Sequence, residues 1–270
     1  MIRRPPRSTQ GVSSAASDVY KRQDIVFAIY QGGKVRCKWR CSASTKRTSE
    51  EYAVWLSQLM SIEKIKFNNI RSTIISNVVP VTHKDLLSFC QKYIKSNPVV
   101  IGEKGVDVGF NILTSHPEEV GADRIANTAA IKFRYSYPAI VIDFGTATTF
   151  DIIDSKGNYT GGIIAPGINL SLESLYNAAA KLPKITVQKP SKVIGRSTVT
   201  AMQSGIFWGY VSMIEGLLER IHDDMGGKFS IVATGGLGKM FSNNIKAIEQ
   251  YRPNLTLEGL YEIHKLNRKQ

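Results

Sequence analysis

A short segment that follows an apolar stretch carries the residue types needed to bind phosphate groups. The apolar stretch leads into Asp143, then Gly145, and then the hydroxyl side chains of Thr146, Thr148 and Thr149. Because Gly145 has no Cβ, the backbone can approach a ligand closely, and the amides of a tight turn form a concavity that binds anions. The segment therefore predicts contact with the phosphates and the metal of a nucleotide.

A second glycine-rich segment lies near the end of the chain. Residues 228–238 predict a strand, a tight turn and the start of a helix. Gly235, Gly236 and Gly238 in that turn would admit a flat, bulky group such as adenine against the backbone. A single G-G-x-G pattern also matches many ordinary turns. Its significance is that it is the second glycine-rich strand end in the same half of the chain.

Asp123 and Arg124 are adjacent at the predicted start of a helix. A carboxylate can act as a general base, and a guanidinium can bind an anionic substrate. Two simpler interpretations stand beside this one: a surface ion pair, and an acid favoured near a helix start by the helix dipole. In the same way, Ser197 or Thr198 most simply caps the long helix that follows.

The elements that would position these residues form two similar halves. The first half opens with a predicted hairpin at 25–41, and the second with strands at 139–144 and 148–153. In each half, helices and further strands follow. The repetition predicts an internal duplication, with one domain at 24–137 and a second at 138–270.

A long helix is predicted at 198–225, because its apolar residues recur with helical spacing. Gly205 and Gly209 lie four residues apart on it, so another helix could approach closely, either within the chain or across a dimer. In the first half, a buried strand is predicted at 73–79 and a helix at 84–95.

The composition disfavours several classes of protein. The net charge is +13, but residues 1–23 hold five of the basic residues and one acid, and no basic run exceeds two residues. A surface of this kind suits acidic small molecules at least as well as nucleic acid, so we expect no nucleic-acid partner. No apolar run reaches the roughly 20 residues of a membrane span. Three cysteines without a C-x-x-C pair predict reduced thiols and a cytoplasmic location.

Five motifs, taken together with their spacing, resemble one known family. They are E-V-G-A-D-R-I-A-N at 119–127, D-F-G-T-A-T-T at 143–149, P-G-I-N-L-S at 166–171, G-R-S-T at 195–198 and A-T-G-G-L-G at 233–238. The chain resembles type III pantothenate kinase over about residues 24–265. The resemblance implies an α/β fold of duplicated ribonuclease-H-like domains with a cleft between them, as in the actin-like ATPases and sugar kinases. It also implies ATP-dependent phosphorylation of pantothenate to 4'-phosphopantothenate, the first step of coenzyme A biosynthesis.

The resemblance implies roles for the residues of the substrate site. Asp123 would accept the proton of the pantothenate hydroxyl. Gly121, Ala122 and Arg124 would help to bind pantothenate, with Arg124 as the partner of its carboxylate. Thr198 would contact pantothenate as well. This division suits phosphoryl transfer, in which positioning and charge neutralisation supply most of the catalysis.

The resemblance likewise implies roles on the nucleotide side. Asp143 would hold the monovalent cation, potassium or ammonium, that the family uses. Gly145 and Thr146 would contact ATP, which binds with Mg²⁺. The adenosine side would be lined by Gly235, Gly236 and Gly238.

Two departures from the family pattern bear on activity. Thr114 stands where the family usually has a tyrosine, which alters pantothenate packing or requires a ring from elsewhere. The family also opens with a strand and D-x-G-N-T-N, which hold Mg²⁺ and the ATP phosphates, where this chain has 21–24 as K-R-Q-D. Residues 1–23 resemble translated sequencing-adapter read-through, so we expect a non-native or disordered tail. The first strand and the first phosphate loop are then missing, and we expect little or no kinase activity.

Two alternative functions stay open beside the kinase. The same family includes proteins first described as transcription accessory factors, so the chain could be a non-catalytic regulator. Intact Asp123 and Asp143 speak against that alternative, because a regulator needs neither. A kinase for another small alcohol is the second alternative and rests on Thr114. The resemblance also suggests a homodimer built partly on the helix at 198–225.

Overall fold

The structure, a computed structural model, describes residues 24–42, 47–178 and 182–268, which contain both strands and helices. The tail predicted at 1–23 lies outside these residues. The strands are β1 (Asp24–Gln31), β2 (Lys34–Ser42), β3 (Ile74–Ile75), β4 (Val99–Val100), β5 (Ala139–Phe144), β6 (Ala147–Ile153), β7 (Tyr159–Pro166), β8 (Ser230–Gly235) and β9 (Gln250–Tyr251). The α-helices are α1 (Ser49–Ile62), α2 (Pro80–Phe89), α3 (Ala122–Arg134), α4 (Ile168–Ala178), α5 (Thr198–Met225), α6 (Gly238–Ser242) and α7 (Leu255–Asn267).

A five-stranded sheet organises the second half of the chain. Its strands lie in the order β7-β6-β5-β8-β9. The central strand β5 pairs antiparallel with β6 and parallel with β8. Since β5 and β8 run in the same direction, the turns that follow them emerge at the same edge of the sheet.

Different helices cover the two faces of this sheet. Ile140 of β5 belongs to the apolar cluster that contains Phe207 of α5. The next residue, Val141, belongs to a second cluster, which contains Ile131 of α3. Because successive side chains of a strand point to opposite faces, a strand that is covered on both sides must be apolar throughout. This explains the continuous apolar run at 139–142.

Helices α3 and α7 pack very closely against each other. Gly259 of α7 faces the backbone of α3, where a Cβ would overlap with the carbonyl oxygen of Ala126. Farther along the same interface, Arg134 Nε lies 2.7 Å from Glu262 Oε1. The position of α3 against α7 is therefore fixed by backbone contact and by an ion pair.

The first half of the chain contains two separate two-stranded sheets. β1 and β2 pair antiparallel, whereas β3 and β4 pair parallel. Phe27 of β1 and Ile75 of β3 pack against the same apolar cluster. The antiparallel pair β1–β2 corresponds to β6–β7, and the parallel pair β3–β4 corresponds to β8–β9. In the second half, β5 lies between these two pairs. Among the described residues, no strand of the first half corresponds to β5. The domain boundary between 24–137 and 138–270 stays a prediction.

Two elements of the first half differ from their predicted extents. The strand predicted at 73–79 is reduced to β3, because β4 offers only Val99 and Val100 as partners. Helix α2 begins at Pro80 rather than at 84, since proline suits the first position of a helix, where its missing N–H costs nothing. The helix continues as a π-helical turn at Cys90–Ile94.

Further local features concern the helix ends, the cysteines and the apolar character of the helices. Thr48 caps α1 and forms a reciprocal capping box with Glu51, and α5 has the predicted bounds. The three cysteines are free and buried. None of the described helices combines the length and the apolar character that a membrane crossing requires.

Replacing Gly259 by alanine tests the close packing of α3 and α7. The added methyl group overlaps with the Ala126 carbonyl, so we expect the free energy of unfolding to fall by about 1–3 kcal/mol. Gly216→Ala on α5 is the matched control, because a Cβ there meets only the flexible end of Arg220; it should be neutral or stabilising by up to about 1 kcal/mol. Urea unfolding followed by circular dichroism measures both, and equal effects would contradict the packing.

Candidate active site

Asp143 lies near the end of the central strand, at the edge of the sheet where two turns meet. It is paired with Thr149 on β6 and with Thr234 on β8. The turn after β5 is closed by a hydrogen bond from the Gly145 N–H to the Ala147 carbonyl, at 3.0 Å. The turn after β5, which the sequence predicts to bind phosphate, thus lies next to the turn that follows β8.

Two glycines allow other segments to approach this turn. Gly235 has a φ of +87°, and a Cβ there would lie 2.7 Å from Asp143 Oδ1 and 2.6 Å from the Phe144 carbonyl. Gly167, which follows β7, lies against the backbone of Thr146, where a Cβ would overlap with the carbonyl oxygen. The side chain of Thr146 itself is in an exposed position. Both approaches require a residue without a side chain.

The other glycines of the A-T-G-G-L-G motif have different surroundings. Gly236 is exposed, and a Cβ there would meet nothing within 4 Å among the described residues. Gly238 starts α6 and faces the ring of Tyr251, whose Cε2 would lie 2.6 Å from a Cβ. The Tyr251 hydroxyl also donates to the Gly235 carbonyl at 3.1 Å. Packing therefore accounts for Gly238, and Gly236 is free to face a ligand.

A chain of hydrogen bonds ties Asp143 to α3 and α7. The amide Nδ2 of Asn127 donates to Asp143 Oδ2 at 3.2 Å, and its Oδ1 accepts from the Thr256 hydroxyl at 2.8 Å. Asn127 is fully buried. Asp143 Oδ1 is left on the side of Gly235, where it can meet a ligand.

The surroundings of Asp143 fit a hard cation that takes oxygen ligands. A carboxylate oxygen is the ligand type that such cations prefer. Within the described ranges, no group of three His, Cys, Asp or Glu side chains is placed to hold a metal. A cation at Asp143 would therefore take its remaining ligands from backbone or hydroxyl oxygens, from water or from a bound phosphate.

Asp123 lies in the first turn of α3, four residues before Asn127 and on the same helix face. Its Oδ1 accepts a hydrogen bond from the Arg124 backbone N–H at 2.9 Å. Gly121 leaves room for this carboxylate, because a Cβ at 121 would lie 2.7 Å from Asp123 Oδ1. The carboxylate is partly exposed and close enough to Asp143 to influence its titration.

Arg124 does not form the surface ion pair that stood as the simpler interpretation. Its Nε lies 2.5 Å from Oδ1 of Asp151 on β6, and Asp151 is completely buried. The guanidinium carbon lies 5.5 Å from the centre of the Tyr159 ring. Only 14% of the Arg124 side chain is exposed. A nearly buried guanidinium with one fixed edge is suited to binding an anion with its other edge.

Burial raises the pKa of two carboxyl groups near this edge. For Asp143 the pKa is raised to about 6, mainly by desolvation; the Asn127 hydrogen bond opposes the shift and the charge of Asp123 adds to it. For Asp151 desolvation raises the pKa to about 7, against the attraction of Arg124. For both carboxyl groups, burial raises the free energy of the ionised form, so a nearby positive charge stabilises that form.

Two predicted substrate residues lie in different surroundings. Ala122 is buried in an apolar cluster that includes Ile125, so its backbone alone can face a ligand. Thr198 is exposed at the start of α5, whose cap is Ser197 rather than Thr198. Thr198 lines a cavity of about 810 Å³ together with residues such as Met202, and the lining does not include Asp123. Among the described residues, the structure therefore does not bring Thr198 and Asp123 into the same cavity.

Thr114 lies beside the strand that carries Tyr159. The neighbouring Leu113 N–H donates to the Tyr159 carbonyl at 2.8 Å, and Ile112 forms a bridge with the same residue. The Thr114 hydroxyl is buried without a hydrogen-bond partner in the described part of the chain. The Tyr159 side chain is buried, and its ring packs on the guanidinium of Arg124.

Comparison with known proteins gives a consistent assignment. The family profile described as type III pantothenate kinase matches residues 23–220. A type III pantothenate kinase from Paramagnetospirillum magneticum is 52% identical over 90% of this chain and 94% of its own length. The chain belongs to the type III pantothenate kinase family. A second family member, from Rhodospirillum rubrum, is 49% identical over 90% of this chain and 95% of its own length.

Solved structures support the fold assignment. A Baf family transcriptional activator from Campylobacter jejuni superposes with a TM-score of 0.53, at 21% identity, over 85% of this chain and 90% of its own. A 2-dehydro-3-deoxygalactonokinase from Sinorhizobium meliloti superposes with a TM-score of 0.51, at 9% identity, over 92% and 94%. At these identities the likeness concerns the fold alone. The predicted α/β class, with the duplicated ribonuclease-H-like architecture of actin-like ATPases and sugar kinases, is confirmed.

Three residues of this site are not identified by sequence reasoning. Asn127 closes the E-V-G-A-D-R-I-A-N motif, and its spacing of four from Asp123 is a usable signal. Asp151 is an acid within an apolar strand, which is a weaker signal. Thr256 is 129 residues away from Asn127, and nothing local indicates the contact.

Replacing Asn127 by alanine should raise the pKa of Asp143 above about 6. The hydrogen bond from Asn127 stabilises the ionised carboxylate, so its loss shifts the equilibrium towards the protonated form. Carboxyl ¹³C resonances of labelled aspartate, assigned with Asp143→Asn, measure the titration. Asp154, in a separate turn, should titrate identically in both proteins. An Asp143 pKa near 4 that the substitution leaves unchanged would contradict this account.

Proposed function

We propose that the site performs ATP-dependent phosphorylation of the primary hydroxyl of pantothenate, the first step of coenzyme A biosynthesis. The observation that supports the proposal is the hydrogen bond from Asn127 to Asp143, which links the end of β5 to the helix whose first turn carries Asp123. Membership of the type III pantothenate kinase family supports the choice of substrate. A location in the cytoplasm fits this activity.

The residues of α3 would handle pantothenate. Asp123, which is partly exposed, would accept the hydroxyl proton as the hydroxyl attacks the γ-phosphoryl group. The backbone at Gly121 and Ala122 would line the substrate, and the free edge of Arg124 would bind its carboxylate. These groups supply position and charge rather than covalent chemistry.

The turns at the edge of the sheet would handle the nucleotide. Asp143, whose Oδ1 has no hydrogen-bond partner among the described residues, would hold potassium or ammonium next to the phosphates. The turn of Gly145 and Thr146 would contact ATP. The open side of the turn after β8, at Gly235 and Gly236, would bind the adenosine. Gly238 would pack behind these residues, against Tyr251. Magnesium would bind with ATP.

We further propose that the chain as written has little kinase activity. In place of the family's D-x-G-N-T-N, residues 21–24 read K-R-Q-D directly before the apolar part of β1. The separation of β1–β2 from β3–β4 supports the proposal, because in the second half the strand between the matching pairs carries Asp143 and the phosphate turn. A kinase of this fold needs both turns to hold the ATP phosphates.

An activity comparison tests both parts of this proposal. ATP- and pantothenate-dependent phosphorylation is measured on the chain as written and on one in which a strand ending in D-x-G-N-T-N precedes Ile25. We expect turnover from the restored chain only. Robust turnover by the unrestored chain would disprove the defect, and an inactive but folded restored chain would disprove the kinase assignment.

Replacing Asp123 by asparagine in the restored chain tests the proposed base. The expected loss of kcat is about 100- to 10,000-fold, because the amide cannot accept the hydroxyl proton. Glu119→Gln, an exposed acid of the same motif, is the matched control and should retain full activity. Equal activity of both variants would remove Asp123 from the mechanism.

A homodimer would explain the separate position of Thr198. A Cβ at Gly205 or Gly209 of α5 would meet nothing within 4 Å among the described residues, so this face of the helix is open. Nearby in sequence, Val193 and Ile194 are exposed by 63% and 82%. We propose that a second copy packs on this face and that Thr198 is completed as a pantothenate contact there.

Light scattering after size exclusion tests the dimer. The unchanged chain should elute as a dimer, and Gly209→Leu should give monomers, because the bulky side chain prevents close approach of a second helix. Lys239→Leu, on the exposed side of α6, is the control and should leave the dimer intact. A monomeric parent chain, or a dimer unaffected at Gly209, would contradict this interface.

Ligand binding and a substrate panel distinguish the proposed kinase from the two alternative functions. A non-catalytic regulator should not bind pantothenate, whereas the kinase should bind it. A kinase for another small alcohol should prefer that alcohol in a substrate panel, as the position of Thr114 would allow. No nucleic-acid or membrane partner is proposed.

A further inference from the structure

Arg124 is held by one edge of its guanidinium. Its Nε donates to Asp151 Oδ1 at 2.5 Å, whereas its Nη2 reaches the Phe150 carbonyl only at 3.5 Å. In the described part of the chain, Nη1 has no hydrogen-bond partner. The guanidinium is therefore fixed at the Nε side and available at the Nη side.

The surroundings restrict the remaining freedom of this group. The ring of Tyr159 lies beneath it, with the guanidinium carbon 5.5 Å from the ring centre. On the neighbouring strand stands Gly162, where a Cβ would lie 2.5 Å from Arg124 Nη2. Because Gly162 has no side chain, there is room for the Nη end of Arg124. The Tyr159 ring and Asp151 restrict the orientation of the guanidinium.

Asp151 cannot itself contact a substrate. It is completely buried, and its second oxygen, Oδ2, has no hydrogen-bond partner among the described residues. A buried carboxylate is costly unless it is compensated, and Arg124 is the cation beside it. The charge of Asp151 also acts through space on Asp143 and Asp123, but its close charged contact is the Nε edge of Arg124.

We propose that Asp151 is a positioning residue that holds the Nε edge of Arg124 so that the Nη atoms select the carboxylate of the substrate. The inference rests on the proposed function, in which Arg124 binds the pantothenate carboxylate. Without Asp151 the arginine can rotate, and binding must then restrict a flexible side chain. The selective preference for a carboxylate is the property that this arrangement supplies.

Calorimetric titration of the full chain with two ligands tests the proposal. The ligands are pantothenate and its analogue in which a primary alcohol replaces the carboxylate. The unchanged chain should prefer pantothenate by about 10- to 100-fold, as expected for a hydrogen-bonded charge pair. Asp151→Ala should reduce that preference to about threefold or less. Asp151→Asn should restore most of it, because the amide oxygen can still accept from Nε.

A matched control separates positioning from a general structural effect. Glu262→Ala removes the carboxylate of another close pair on α3, Arg134 Nε to Glu262 Oε1 at 2.7 Å. It should weaken folding and leave the ratio of the two affinities unchanged. An unchanged ratio in folded Asp151→Ala would overturn the proposal. No binding of pantothenate by the unchanged chain would instead overturn the proposed function.

A second measurement on the unchanged chain applies even where Asp151→Ala does not fold. The ¹⁵Nε–H resonance of Arg124, assigned with Arg124→Lys, should be protected from solvent exchange with and without pantothenate. Pantothenate should shift the Nη resonances. Fast exchange of Nε–H, or its loss of protection when pantothenate binds, would show that Asp151 does not hold this edge.

Discussion

The hydrogen bond from Asn127 to Asp143 joins the helical layer to the end of the central strand, and the geometry of the site depends on it. Asp123 and Arg124 occupy the first turn of the same helix, so their distance from the phosphate turn is set by this contact. Helix α7 packs closely on α3 at Gly259 and so holds α3 in position. The Asp123 carboxylate is thereby positioned by packing that lies outside the candidate site.

The charges of the site explain its chemical requirements. Asp123, Asp143 and Asp151 act on one another through space, and burial raises the pKa of the last two. One arginine compensates Asp151 at close range. Among the described residues, the hydrogen-bond partner of the Asp143 side chain is a neutral amide, so a cation bound there would stabilise the ionised carboxylate.

Much of this arrangement follows from the sequence, and the rest depends on tertiary contacts. The apolar run before Asp143 and the helical spacing at 198–225 are local patterns, and both elements form as expected. The pairing of Arg124 with Asp151 depends on how β6 lies against α3, which no local pattern encodes. The same holds for Thr256, which reaches Asn127 from the far end of the chain. The short β3 reflects the length of its partner strand rather than its own apolar residues.

A structure of the restored chain with pantothenate and a non-hydrolysable ATP analogue tests the central claim most directly. The account predicts the primary hydroxyl of pantothenate within hydrogen-bond distance of Asp123 and facing the γ-phosphate. It predicts the substrate carboxylate at the Nη atoms of Arg124, with the Arg124–Asp151 contact retained. Pantothenate bound away from α3, or a carboxylate that displaces Asp151 from Arg124, would contradict it.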